Sequence, residues 1–440
     1  MQPKQKHILF CLLAIIATHQ VYASHAEATR THEWVKDIHQ SQMRTPEQWM
    51  KLQGYDDYLP TAVEQCSPQF IENVIPLSKY YFDTHKVTTE DGYILSLFRL
   101  RYKAATPNGK VVFLQHGLNN DAGTWVINGE DKALAFLLAK KGFDVWMGNN
   151  RGNKYSRSHV NLNPNKAKFW EFSFDEKGRY DIPANLNYVN QHTGGAKIIY
   201  IGYSQGTTQM FVALSDAKIR PKVAPLIKVF YALAPILYLD QNKVPVTNYV
   251  TYLTNTVKNL AWAFGLNYFE LGTCKWDQAK VDKLNKKCGD NPKNCYLKLR
   301  LTDEDPSVDN WARDGYRELL GQSGASTRAY IHYAQIIKAQ IKNKKAFPKF
   351  DYGPITNLVK YRRFTPPNYD LSLVREPVRL WVGNKDTLGT VPETERIHRD
   401  LVNADSKIQV LDRWGHGTFN FAKDVTSYYI DKLIPELEQF

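Results

Sequence analysis

The sequence predicts an α/β fold in which a mostly parallel central sheet carries helices on both faces and a helical insertion precedes the last strands. From Lys110 onward, short continuous apolar runs alternate with helical segments, as in strands that are buried on both faces. One run leads into a glycine-bracketed turn and a helix at residues 198–209. The alternation lapses over residues 236–352, an interval too long for a structureless loop in a compact domain.

The N-terminus has the composition of a secretory signal peptide. Lys4 and Lys6 precede an apolar run at residues 8–18, and Val21-Tyr22-Ala23 offers a small residue for cleavage. The run is too short to span a bilayer as a helix, and no other stretch is long and apolar enough. We therefore expect a signal peptide at residues 1–23 and a protein without a transmembrane segment that is secreted or reaches the lysosomal lumen.

Three further regions follow from the pattern: a first core part at residues 24–235, a helical cap with a lid at 236–352, and a second core part at 353–440. A hairpin with its turn at 90–92 is expected within residues 80–102. Core strands are predicted at 111–114, 144–147, 198–201, 229–233, 378–382 and 408–411, with helices at 133–140 and 181–190. Aromatic and aliphatic residues from Tyr249 to Leu271 have helical spacing, which favours a cap whose side chains mostly pack on one another.

Four cysteines lie beyond the predicted signal: Cys66, Cys274, Cys288 and Cys295. In an oxidising compartment such residues form disulfides. Cys288 and Cys295 flank a short loop, so we predict a bridge between them, and the pairing of Cys66 with Cys274 stays open. The spacing lacks paired CxxC motifs and adjacent histidines, so no zinc or other metal site is predicted.

The net charge of +13 favours anionic partners. The lysines are scattered and no nucleic-acid-binding motif is present. We therefore expect no nucleic acid partner. The charge is more consistent with solubility and a mild attraction to anionic lipid surfaces.

The pentapeptide Gly202-Tyr203-Ser204-Gln205-Gly206 follows a buried apolar run and opens a helix. This is the context of a nucleophile elbow, in which glycines permit a sharp turn and the serine hydroxyl is exposed to substrate. Ser204 is the candidate nucleophile, and the backbone N–H of Gln205 is a candidate oxyanion donor. The alternative is an ordinary glycine-bracketed turn.

A serine nucleophile needs a base, and on this fold the base follows it in the chain. Three histidines follow Ser204. His332 and His398 lie within helical patterns, whereas His416 follows the last predicted strand in a loop with glycines on both sides. We therefore predict His416 as the general base.

The acid that orients the base is predicted at Asp386, which ends the strand and turn beginning at residue 378. Asp370 and Asp412 lack that placement, and Asp370 is expected to cap a turn. A second oxyanion donor is predicted at the backbone N–H of Leu118, because a glycine precedes it in the loop after an early strand. His116 in that loop is given an orienting or structural role.

Together these motifs resemble the acid lipase family of gastric and lysosomal acid lipases, which are α/β-hydrolases. The resemblance covers nearly the whole chain beyond the predicted signal. Besides the elbow, it rests on His116-Gly117-Leu118, Gly148-Asn149-Asn150-Arg151-Gly152-Asn153, Phe169-Trp170-Glu171-Phe172-Ser173-Phe174-Asp175-Glu176, Tyr180-Asp181-Ile182-Pro183-Ala184 and Phe230-Tyr231-Ala232-Leu233-Ala234-Pro235. The chain departs from the family at Tyr203, where familiar members have His, in the flanks of His416, and in lacking any Asn-x-Ser/Thr sequon.

The resemblance implies a triad of Ser204, Asp386 and His416, an oxyanion hole made by the backbone N–H groups of Leu118 and Gln205, and a cap with a mobile lid. It further implies hydrolysis of triacylglycerols or cholesteryl esters at a lipid interface. No cofactor is expected, and the protein is expected to be a monomer. The alternatives are a soluble carboxylesterase or thioesterase, a phospholipase or steryl-ester hydrolase, and a non-catalytic lipid-binding protein.

Overall fold

The computed structural model describes residues 65–243, 267–269, 272–296 and 302–440. The predicted signal peptide lies outside these residues, as does the aromatic cluster from Tyr249 onward except for Tyr268 and Phe269. Within the described part of the chain, every helix is too short or too polar to cross a bilayer.

A mixed sheet forms the centre of the molecule. Its strands are β1 (Tyr80–Thr88), β2 (Tyr93–Tyr102), β3 (Val111–Gln115), β4 (Asp144–Gly148), β5 (Ser158–His159), β6 (Ile198–Tyr203), β7 (Ile227–Leu233), β10 (Val378–Gly383) and β11 (Ser406–Leu411). A small antiparallel pair, β8 (Tyr268–Phe269) and β9 (Ala325–Ser326), lies apart from it. The order β1-β2-β4-β3-β6-β7-β10-β11 has β5 beside β2. Pairing is parallel from β4 to β11, and β2 is antiparallel to β1, β4 and β5.

The helices of seven residues or more are α1 (Leu134–Lys140), α2 (Ile182–His192), α3 (Gln205–Ser215), α4 (Gln278–Asp290), α5 (Asp314–Leu320), α6 (Thr327–Lys342), α7 (Pro354–Tyr361) and α8 (Val391–Asp400). Short α-helical segments lie at Gln69–Glu72, Phe174–Glu176, Arg220–Val223, Thr418–Phe421 and Ile434–Leu437, and π-helical segments at Lys177–Asp181 and Thr426–Leu433. The predicted α/β architecture is confirmed, and the six predicted core strands agree with the observed ones to within two residues at each end.

Both faces of the central strands β3 and β6 are buried, and successive residues of such a strand enter different cores. In β3, Val112 and Leu114 pack in one apolar cluster while Val111 and Phe113 pack in the other. Side chains of a strand alternate between its two faces, so a strand with a core on each side must be apolar throughout. This explains why the core strands appear as continuous apolar runs.

The cap prediction falls on residues 236–352, whose described parts contain α4, α5, α6 and the β8–β9 pair. Two disulfides lie in or beside this insertion. Cys288 bonds Cys295 across the short loop, and Cys66 bonds Cys274, a pairing that the sequence left open. The second bridge ties the beginning of the described chain to the insertion.

Candidate active site

The turn between β6 and α3 holds Ser204 in a strained backbone conformation, with φ 54° and ψ −120°. Two glycines make this turn possible. A Cβ on Gly202 would lie 2.8 Å from the carbonyl atoms of Gly206, and a Cβ on Gly206 would lie 2.3 Å from the backbone oxygen of Gln115. No real side chain tolerates such distances, so the elbow requires glycine at both positions.

Ser204, His416 and Asp386 form a continuous hydrogen-bonded chain. The Ser204 Oγ lies 2.8 Å from Nε2 of His416, and the His416 Nδ1 lies 2.8 Å from Oδ2 of Asp386. All three residues are buried. In this geometry His416 can take the serine proton while Asp386 fixes its tautomer and stabilises the imidazolium.

Asp386 is held in place by the turn that follows β10. Its Oδ1 accepts hydrogen bonds from the backbone N–H groups of Leu388 at 2.8 Å and Gly389 at 2.9 Å. Its Oδ2 therefore remains directed at His416, which the loop after β11 supplies. Both residues follow the carboxyl ends of neighbouring parallel strands, where sites on open sheets form.

The pKa of His416 lies above its ordinary value of 6.5. Burial alone would lower it, but the charge and hydrogen bond of Asp386, together with the charge of Asp303, more than offset the burial. Stabilising the imidazolium in this way is what a base needs when it receives the proton of the nucleophile.

Asp303, which the sequence did not single out, is a second buried carboxylate beside the histidine loop. Its Oδ1 accepts from the Gly417 backbone N–H at 3.0 Å, and its Oδ2 accepts from the Thr302 hydroxyl at 2.8 Å. A Cβ on Gly415 would lie 1.8 Å from its Oδ1. Burial first, and then the charge of Asp386, raise the pKa of Asp303 to about 7. The carboxylate therefore contacts the glycines on both sides of His416.

The loop that carries the predicted Leu118 donor lies directly against the nucleophile. A Cβ on Gly117 would lie 3.0 Å from Cβ of Ser204 and 3.3 Å from its Oγ. Gln205 begins α3, and the N–H groups of a first helical turn have no partner inside the helix. Both predicted donors thus belong to backbone segments that adjoin Ser204.

His116 stabilises this loop as a neutral imidazole. Its Nδ1 lies 2.8 Å from the Gly117 carbonyl oxygen, and its Nε2 lies 3.1 Å from the Asn150 backbone N–H. Nδ1 must therefore carry the proton, since Nε2 accepts. Burial lowers the pKa of His116 to about 3. These contacts agree with the orienting role expected for His116.

The Gln205 side chain is directed to a buried lysine. Its Oε1 accepts from Nζ of Lys177 at 2.8 Å. Burial, and the nearby charge of Arg151, lower the pKa of Lys177 to about 8, although Asp181 opposes the shift. The bond holds the first residue of α3 against the π-helical segment that precedes α2.

Tyr203 contacts the base directly. Its hydroxyl donates to the His416 carbonyl oxygen at 3.1 Å, and the two ring centroids are 5.5 Å apart. Tyr203, one of the positions where the sequence departs from the pattern it otherwise resembles, thus packs on the histidine loop.

The rejected candidates have structural roles. His332 is fully buried, where its Nδ1 contacts the Ser173 hydroxyl, its Nε2 contacts the Pro348 carbonyl, and burial lowers its pKa to about 4. His398 is exposed and contacts Ser406. Asp370 caps a helical turn, and Asp412 accepts from Asn384 at the surface.

One set of potential metal ligands is close together among the described residues: Cys288, Cys295 and Asp314. Both sulfurs belong to the disulfide, so neither is a thiolate that could bind a metal. A cavity of about 230 Å³ lies beside the triad. Its lining includes Asn119, Asn120, Tyr203 and Gly417.

The chain is similar to known protein families and to solved structures. Residues 71–129 match the partial alpha/beta-hydrolase lipase region, and residues 110–257 match the alpha/beta hydrolase fold. A solved structure from Sulfolobus solfataricus, 14% identical with a TM-score of 0.50, covers 81% of this chain and 95% of its own, which supports the fold alone.

Curated relatives match over most of their length. Lipase member K of Homo sapiens is 31% identical over 89% of this chain and 97% of its own. Gastric triacylglycerol lipase of Rattus norvegicus is 34% identical over 83% and 90%. Lysosomal acid lipase/cholesteryl ester hydrolase of Homo sapiens is 31% identical over 86% and 93%. The chain therefore belongs to the acid lipase family of α/β-hydrolases.

Proposed function

We propose that this protein is a lipase that hydrolyses carboxylic esters of lipids, triacylglycerols or cholesteryl esters, through an acyl-enzyme on Ser204. The strongest support is the hydrogen-bonded chain from Ser204 through His416 to Asp386, with 2.8 Å at each step. Relatives of similar length are named triacylglycerol lipase and cholesteryl ester hydrolase, which supports a lipid ester as substrate.

The reaction follows from the positions of these groups. His416 Nε2 removes the proton of Ser204 as Oγ attacks the ester carbonyl, and Asp386 stabilises the imidazolium that forms. The backbone N–H groups of Leu118 and Gln205 hold the oxyanion, each contributing about 3 kcal/mol. His416 then gives its proton to the departing alcohol, and water repeats the sequence on the acyl-enzyme.

Access to Ser204 supports a cap that moves. Ser204 is 8% exposed, so a lipid ester reaches its hydroxyl only after covering residues shift. From the insertion, Tyr330 contacts Asn119 beside the oxyanion loop, and the Tyr333 hydroxyl lies 3.0 Å from the Thr208 hydroxyl on α3. We therefore assign residues 236–352 as a cap with a lid that opens at a lipid interface.

We further propose that the protein acts as a monomer in an extracellular or lysosomal space after removal of residues 1–23. Its two disulfides suit an oxidising compartment. Relatives are named gastric and lysosomal lipases, which supports the same two destinations.

The test is hydrolysis of emulsified triolein and of soluble p-nitrophenyl butyrate by the wild type, Ser204→Ala and Ser78→Ala. Ser204→Ala should lower kcat on both substrates at least about 10³-fold, because the covalent step is lost. Ser78 is exposed and away from the site, so Ser78→Ala should retain full activity.

The outcomes separate the alternatives. Rapid turnover of the emulsion supports a lipase with an interfacial lid. Activity on the soluble ester alone identifies a carboxylesterase instead, and no hydrolysis by a folded wild type identifies a lipid-binding protein on a hydrolase scaffold. A Ser204→Ala variant that keeps most of the activity would refute the assignment of the nucleophile.

A further inference from the structure

Helix α7 and the residues after it expose an unusual amount of apolar surface. Ile355 is 81% exposed, Val359 68%, Phe364 66% and Leu358 42%. Single exposed apolar residues are normal on a protein surface, but a contiguous group of large ones marks an interaction site. We call this group, with the neighbouring Lys360, Arg362 and Arg363, the 355–364 patch.

Polar contacts on the opposite side of the helix hold α7 to the chain segments just before and after it. Asn357, its one buried residue, accepts from the Tyr352 N–H at 3.0 Å and donates to Oδ1 of Asp351 at 2.7 Å. It also donates to the Phe364 carbonyl at 3.0 Å. The apolar side chains of the patch therefore play little part in holding α7 in place.

The charged side chains of α7 and of the residues just after it have a single sign. Lys360, Arg362 and Arg363 are exposed, and residues 352–369 contain no Asp or Glu. The Lys360 ammonium lies 4.4 Å from the ring centroid of Tyr352. Apolar side chains beside cations, with aromatic rings between them, are the composition of a segment that lies in a lipid interface.

The residues just before α7 connect the patch to the elements that surround the active site. The Tyr352 hydroxyl donates to Oε1 of Glu176 at 3.1 Å, and the next residue, Lys177, holds the Gln205 side chain. On α6, the Gln335 side chain donates to and accepts from the backbone of Asp351. Two residues earlier on the same helix, Tyr333 contacts Thr208 of α3. The segments that support α7 are thus those that adjoin the nucleophile helix.

We propose that the 355–364 patch is the surface by which this protein docks on an anionic lipid interface. The proposal rests on the proposed lipase function and names the surface that meets the substrate phase. Ile355, Leu358, Val359 and Phe364 enter the boundary between headgroups and acyl chains, while the three cations contact anionic headgroups. Docking there brings the lipid phase close to α6, the helix that contacts the nucleophile helix α3.

The experiment measures cosedimentation with vesicles of phosphatidylcholine alone or with about 30 mol% phosphatidylglycerol, which supplies an anionic surface. All proteins carry Ser204→Ala so that no lipid is hydrolysed. Ile355→Ser with Val359→Ser tests the apolar side chains, and Arg362→Gln with Arg363→Gln tests the charges. Val402→Ser is the matched control, since Val402 is 69% exposed but lies outside the patch.

The unaltered patch should bind anionic vesicles more tightly than neutral ones. The apolar double variant should lose about tenfold or more in partition coefficient. The charge double variant should lose about fivefold for each cation, on anionic vesicles only. Val402→Ser should bind as the parent does. Failure of the parent to bind, or an equal loss in Val402→Ser, would overturn the proposal.

Two other occupants give different results. If a second copy covers the patch, sedimentation equilibrium of the parent shows a dimer that Ile355→Ser with Val359→Ser dissociates, and lipid docking is refuted. If residues 244–266 of this chain cover it, the parent does not bind vesicles and the same variant unfolds at lower urea concentration. Hydrolysis of p-nitrophenyl butyrate by the Ser204-containing variants should be unchanged, so a failure of the catalytic proposal is seen separately from a failure of docking.

Discussion

Asp303 gives the site a carboxylate that a Ser-His-Asp triad does not itself require. It is fully buried, it bridges to the backbone beside Asp386, and it accepts from Gly417. Tyr203 also packs on His416. Asp309 is buried near Asp303, and burial first, then the charge of Asp303, hold the pKa of Asp309 well above its ordinary value. The charge state of His416 therefore depends on more than its hydrogen bond to Asp386.

Replacing Asp303 with Asn should shift the acid limb of kcat/KM to lower pH. His416 works as a base only when neutral, and the charge of Asp303 is one of the causes that raise the pKa of His416 above 6.5. Asp303, with a pKa of about 7, carries this charge mainly near neutral pH and above. Removing it lowers the pKa of His416 in that range, so more of the enzyme is active just below neutral pH. The measurement is p-nitrophenyl butyrate hydrolysis from pH 4 to 8.

The control for this prediction is Asp412→Asn, which removes an exposed carboxylate that accepts from Asn384. Its pH profile should match that of the wild type. If Asp303→Asn lowers kcat/KM at every pH without shifting the acid limb, Asp303 supports the loop but does not change the pKa of His416.

The same variant should change how stability depends on pH. The pKa of Asp303 is about 7 in the folded protein and 3.8 is its ordinary value. The folded state therefore binds the proton more tightly, so this group's contribution to stability is complete below about pH 4 and is lost as the pH rises to about 7. The free energy of unfolding of Asp303→Asn should therefore fall less between pH 4.5 and pH 7.5 than that of the wild type. Urea unfolding at these two pH values measures the difference.

These residues also mark what the sequence could predict about the site. Ser204, Asp386 and His416 each follow an apolar run that a strand must occupy, so their local context indicated their placement. Asp303 has no such context. Its partner Gly417 lies 114 residues further along the chain, and only the folded insertion brings the two together.

Among the elements, the nucleophile elbow tolerates little added volume. Gly206→Ala would place a Cβ 2.3 Å from the backbone oxygen of Gln115, at the end of β3. The backbone cannot move aside without displacing either the oxyanion loop or α3. We expect a loss of about 2 kcal/mol or more in the free energy of unfolding and a loss of most ester hydrolysis.

The matched control is Gly289→Ala on α4. Its Cβ would meet Ala312 at 3.4 Å or more, which is ordinary contact, and alanine is the better helix former. This variant should be as stable as the wild type or slightly more so in urea unfolding. If Gly206→Ala instead kept the stability and activity of the wild type, α3 would be able to move away from the end of β3, and the prediction would be wrong.

The strands were predictable because burial on both faces makes the whole run apolar, as in β3 and β6. The insertion was not predictable in the same way. Most residues of the cluster that includes Tyr268 are expected to pack within the cap, whereas the Tyr268 ring stacks on Trp170, with centroids 4.1 Å apart. Helical spacing indicates which side of a segment is apolar, but it does not indicate what that side packs against.

For the molecule as a whole, the two disulfides should differ in what they stabilise. Cys66 and Cys274 are separated by 208 residues, whereas Cys288 and Cys295 are separated by 7. The long loop joins the start of the described chain to the insertion, and the short one closes a turn within the insertion. Their contributions follow from how much each restricts the unfolded chain.

Replacing Cys66 and Cys274 together with Ala should therefore cost more stability than replacing Cys288 and Cys295 together. From loop-closure entropy, the expected losses in the free energy of unfolding are about 5 and about 2 kcal/mol. Urea unfolding of both double variants and of the wild type under non-reducing conditions measures the difference. Equal losses would mean that the unfolded chain already holds residue 66 near the insertion, so that the bridge acts mainly on the folded state.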